Sequence, residues 1–95
     1  MNNNQKRFLA KYGSEKHLDK LVNDKNSYIR SCVAQHPNLT KEHIDKLLND
    51  RGWGVRLKVA ANPNATKEHL DKLINDEDSD VRSKAIQKLE RGDYK

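Results

Sequence analysis

Residues Val55–Asp76 read V-R-L-K-V-A-A-N-P-N-A-T-K-E-H-L-D-K-L-I-N-D, and the phrases within them recur along the chain. His17, His43 and His69 open H-L-D-K-L, H-I-D-K-L and H-L-D-K-L, a step of 26 residues each time. The pairs Ile29-Arg30, Val55-Arg56 and Val81-Arg82 keep the same step, as do Asn23-Asp24, Asn49-Asp50 and Asn75-Asp76. Independent phrases that share one period mark a repeat array, and a period of about 20 to 50 residues points to a solenoid.

Working outward, each unit opens on a hydroxyl residue, Ser14, Thr40 or Thr66, suited to cap a helix start. Glu15, Glu42 and Glu68 follow at the positive end of that helix. Leu18, Leu21 and Val22, then Ile44, Leu47 and Leu48, then Leu70, Leu73 and Ile74 form one apolar stripe at i, i+3, i+4 spacing. Glu42 with Lys46, and Glu68 with Lys72, are expected surface pairs on the opposite face. A turn at Asp24, Asp50 or Asp76 leads to a second helix, with the Asp expected to cap it. That helix buries Ile29 and Val33, Val55 and Val59, or Val81 and Ala85. His36-Pro37-Asn38 and Asn62-Pro63-Asn64 stop it, whereas Gln87-Lys88-Leu89 lets the last helix run to about Arg91 before Gly92. Ahead of the array, Phe8, Leu9 and Tyr12 predict a short capping helix from about Asn4 to Tyr12, ended by a left-handed Gly13.

Helices of about nine or ten residues do not persist alone in water, so their stripes must be buried by stacking on neighbours. The expected fold is all-α: a short, right-handed α-solenoid of three helical pairs behind an N-terminal cap. The units are the cap 1–13, repeats 14–38 and 39–64, and 65–95 with the C-terminal cap, all in one domain of 95 residues.

Leu, Ile, Val and Phe total only 20 residues, so composition alone would leave order in doubt; their strict register decides for a fold. The net charge of +5 divides into +6 over residues 1–64 and −1 over 65–95. A basic front suits an acidic partner, protein or nucleic acid, and also an ordinary solvated surface. Cys32 is the sole cysteine, which excludes an internal disulfide and a multi-cysteine metal site; its apolar neighbourhood predicts a buried, inert thiol. No long apolar run exists to span a membrane, and M-N-N-N-Q-K-R lacks the apolar core of a secretion signal, so the cytoplasm is the expected compartment.

The phrase V-R-x-x-V-A-x-N-P-N-x-T-K-E-H-L-x-x-L-x-N-D resembles the leucine-rich repeat variant, a relative of the HEAT-like α-solenoids. The resemblance runs from about Gly13 to Leu89. It implies that the first helix of each pair is short or partly 3₁₀, and that Asp and Arg six residues apart form a ladder holding adjacent units in register. The founding type of the family carries a cysteine-held iron–sulfur cluster, which a single Cys cannot reproduce, so no cofactor is expected.

Candidate sites are few. Arg30, Arg56 and Arg82 suit the ladder, or else an anion-binding row on the inner face together with Lys58, Lys84 and Lys88. One His per unit cannot converge on a metal ion, because neighbouring helices lie about 8–10 Å apart and a zinc–nitrogen bond is about 2.1 Å. Trp53 stands where the sister units carry Ser27 and Ser79, inside R-G-W-G, and Tyr28 stands one unit before Gly54. With Lys25 and Arg51 beside them, these rings form either a contact patch or local core. No glycine-rich phosphate loop is present, and Ser, His and Asp all fall at repeat positions with structural duties, so catalysis is not expected. The sequence therefore favours a monomeric, non-enzymatic protein-binding module, a small adaptor or inhibitor, using Trp53, Tyr28, Arg56, Lys58, Arg30 and Arg51. The alternative is weak, sequence-independent nucleic-acid binding through a basic concave face.

Overall fold

A computed structural model describes residues 1–95. The chain is all-α, with α1 at Asn3–Tyr12, α2 at Glu15–Leu21, α3 at Ser27–Ala34, α4 at Lys41–Leu47, α5 at Trp53–Ala61, α6 at Lys67–Leu73 and α7 at Ser79–Arg91. Helices α1, α3, α5 and α7 pack in a row, each on the next, while α2, α4 and α6 each lie against the two row helices that flank them in sequence. The molecule measures 39 × 23 × 17 Å. One apolar core runs through it, and its largest fully buried side chains are Leu18, Ile29, Ile44, Leu47, Leu70, Val33, Val55, Val59 and Val81.

The stripes predicted for the three helical pairs are the buried ones, apart from Ile74, which is half-buried; in α1 Leu9 is half-buried and Phe8 and Tyr12 are exposed. Each large aliphatic removed from water contributes about 1.5–3 kcal/mol, which two-turn helices need because they are too short to hold alone. The first helices have seven residues each, fewer than the nine or ten expected, and they are regular α-helix throughout. Thr40 and Thr66 start them with the hydroxyl oxygen accepting from the N–H of His43 and His69, both at 3.2 Å.

Four local expectations need correction. Gly13 is extended, at φ −72° and ψ 168°, not left-handed. It must be glycine for a different reason: a Cβ there would lie 2.3 Å from the Leu9 carbonyl oxygen and 2.9 Å from the His17 Cβ. The second helices are capped not by Asp24, Asp50 and Asp76 but by Asn26, Gly52 and Asp78 two residues later. The three aspartates instead close the turn by accepting from the N–H of those cap residues, at 3.0, 2.8 and 2.9 Å. On the outer face the pairs that form are Lys41–Asp45 and Lys67–Asp71, both at 3.0 Å, in place of Glu42–Lys46 and Glu68–Lys72. Cys32 is half-buried and not enclosed. Gly92 does take the left-handed conformation, φ +66°, and ends α7 after thirteen residues.

Candidate functional site

The arginine row is built first by the turns. Arg30 Nη1 donates to the Asp24 carbonyl at 2.7 Å, which fixes the guanidinium over its own turn. Its other edge then meets the next unit: Nε donates to Asp50 Oδ2 at 2.7 Å and Nη2 to Asp50 Oδ1 at 3.2 Å. Arg56 repeats the pattern, to the Asp50 carbonyl at 2.6 Å and to the Asp76 carboxylate at 2.7 and 3.1 Å. Forked pairs of this kind are the strong form of the ion pair. Burial alone pushes the Asp50 and Asp76 carboxyls up, but the arginine bonds, the turn amides and the nearby positive charges hold both below the ordinary carboxylate value. Arg56 is correspondingly held above the usual guanidinium range, chiefly by its bond to Asp76. At the front, Lys6 of α1 replaces the missing arginine and meets Asp24 at 2.8 Å. At the back, Arg82 keeps only the bond to its own turn, Nη1 to the Asp76 carbonyl at 2.8 Å.

Two further rows join the units, and neither was foreseen. His43 and His69 accept at Nδ1 from the Thr40 and Thr66 backbone N–H, at 3.2 and 2.9 Å, taking the place of the Glu or Gln of a capping box. With Nδ1 accepting, Nε2 carries the proton, and it donates to Asp19 at 2.6 Å and Asp45 at 2.7 Å in the preceding unit. The Asp45 carboxyl is held low by that bond to His69 and by Lys41. Positions 36, 62 and 88 form the third row. His36 Nε2 lies 3.2 Å from the Gly13 carbonyl oxygen, Asn62 Nδ2 donates to the Ala34 and His36 carbonyls at 2.8 and 3.0 Å, and Lys88 Nζ reaches the Ala61 carbonyl at 3.5 Å. The signal was present, since His and Asp recur together in H-L-D-K-L, but the period alone does not say which unit supplies each partner. No group of three His, Cys, Asp or Glu side chains converges as a metal site would require.

These rows decide which candidate residues are available. Arg30 and Arg56 are buried and bonded, as is Lys88, so the guanidinium groups do not present a free anion-binding row. Lys84 bonds to Gln87 at 3.1 Å, and Lys58 is half-buried with no ion pair. Trp53, the first residue of α5, is 52% exposed, and Tyr28 in α3 is 56% exposed, so neither is core. The two rings do not stack; the one aromatic pair in the chain is Phe8–Tyr12. Arg51 is exposed and joins no ion pair; with Lys25 and Lys46 it borders a shallow groove over the first two turns, whose floor includes Arg30 and Asp50. Gly54, beside Trp53, has open space where a side chain would project. Tyr28 belongs to a separate groove between α1 and α3.

Comparison of the chain with protein-family models, with curated proteins and with solved structures returns no match.

Proposed function

We propose that this chain is a non-enzymatic protein-binding module: a short, right-handed α-solenoid of three units, of the leucine-rich repeat variant type, that docks a protein partner along its turn edge. The observation that carries the reading is Trp53, half exposed at a position where the other units carry an exposed Ser27 or Ser79. A large ring that the stack does not bury, next to the unpaired Arg51, has the composition of an interface anchor. The turn beneath is rigid, because Asp50 accepts from the Gly52 N–H and receives the fork of Arg30, so little ordering would oppose docking.

The test is capture of partners from nuclease-treated lysate of the native host, with wild type beside Trp53→Ala and Arg51→Glu. The reading predicts a salt-tolerant partner that both variants lose while keeping wild-type helicity. Identical recovery by all three proteins contradicts it.

A further inference from the structure

The groove between α1 and α3 is lined by Arg7, Phe8, Lys11 and Tyr12 from the first helix, by Tyr28 of the third and by Gln35 just after its end, among others. Phe8, Tyr12 and Tyr28 are 60%, 65% and 56% exposed, three of the largest unburied apolar side chains in the chain. They share one groove. Arg7 and Lys11 are exposed and join no ion pair, and no acidic residue lines the groove. The first acidic residue of the sequence is Glu15, so α1 carries none. Its third cation, Lys6, turns away to Asp24.

Helical spacing sorts these residues into two parallel rows. Arg7 and Lys11 stand one turn apart, and so do Phe8 and Tyr12, whose centroids lie 5.0 Å apart with a 49° tilt. Lys11 Nζ sits 5.3 Å from the Tyr12 ring centre. Tyr28 supplies a further ring from the facing wall. An acidic protein helix would use the cations, but it would also need aliphatic pits for its anchors; this lining holds no Leu, Ile, Val or Met. Flat rings alongside a line of cations match bases alongside a phosphate backbone.

We propose that the α1–α3 groove binds single-stranded nucleic acid without sequence preference, with phosphates along Arg7 and Lys11 and bases stacked on Phe8, Tyr12 and Tyr28. This site is separate from the Trp53 edge and does not depend on it. The probe is a labelled oligothymidylate of about ten nucleotides, followed by fluorescence anisotropy. Two neutralised phosphates give a log–log salt slope of about −1.4, and Arg7→Gln or Lys11→Gln each flatten it by about 0.7. Tyr12→Ala or Tyr28→Ala, both at exposed positions, weaken binding about tenfold. Arg91→Gln, a matched charge removal on α7, leaves it unchanged. Absence of binding at low salt overturns the proposal. So does binding that survives both ring variants and is displaced equally by polyglutamate, which would make the groove a general acidic-segment site.

Discussion

The seams between units and the exposed edges both carry arginine and treat it in opposite ways. At the seams Arg30, Arg56, His43, His69 and Asn62 are all buried, and each bonds to the neighbouring unit. At the edges Arg7, Lys11, Arg51, Tyr28 and Trp53 are exposed, and their side chains form no hydrogen bond or ion pair with a neighbouring unit. Arg30, Arg56, His43 and His69 keep the 26-residue period and Asn62 holds a seam position filled by His36 and Lys88 in the sister units, whereas Trp53 departs from the period and Arg7 and Lys11 lie ahead of it in the cap. A residue that every unit repeats is one that every junction needs. A residue that one unit alone carries, and that stays exposed as Trp53 does, is free for another role.

Breaking a seam should therefore cost far more stability than stripping an edge. Arg56→Ala leaves the buried Asp76 carboxylate without its fork, and removing one partner of such a pair costs about 3 kcal/mol. That is a large share of the stability of a domain this size, read as a fall in the urea midpoint. Asn62→Ala strands the Ala34 and His36 carbonyls and should cost about 2 kcal/mol in the same titration. Arg82→Ala removes only a bond to its own turn and should cost about 1 kcal/mol or less, although the residue belongs to the same row. Trp53→Ala should stay within about 0.5 kcal/mol of wild type.

Acid should act on the seams selectively. Asp24, Asp45, Asp50 and Asp76 all titrate below the ordinary value of 3.8 in the folded chain. For Asp24 the chief cause is the bond to Lys6, for Asp45 the bond to His69, and for the other two the arginine forks acting against burial. A carboxyl with a lowered folded value contributes its full stabilisation above the unfolded value and loses it as the pH falls towards the folded one. The contribution of these carboxylates is therefore expected to be level above the carboxylate range and to drop as the pH passes below 3.8. Asp76→Asn should be less stable at neutral pH and show a shallower fall. An equally steep fall in that variant would place the acid sensitivity elsewhere.

Much of the helical plan was legible in the sequence. Apolar spacing alone finds Leu18, Leu21, Ile44, Leu47, Leu70 and Leu73, because a two-turn helix has only one face to bury. Thr40, Thr66 and Gly92 mark helix ends through chemistry local to those ends. Of the seam bonds, those of the histidine row and the Asn62 row were not legible. The family resemblance did imply an Asp–Arg ladder between units, in which Arg56 grips the carboxylate twenty residues ahead, in Asp76. Only the stacking of one turn on the next brings them together. Gly13 misled for a related reason: glycine after a helix usually signals left-handed backbone, but here it makes room for Leu9 and His17. Exposure at Trp53 was undecidable from spacing, since a ring at the first position of a helix can turn either way.

A double-mutant cycle on Arg56 and Asp76, with urea unfolding of both single alanine variants and the double, tests most directly whether the seams hold the units together. The account predicts a coupling of about 2 kcal/mol, with the double variant much less damaged than the sum of the singles. Additivity within about 0.5 kcal/mol would contradict it, because the two residues would then be neighbours that do not support each other.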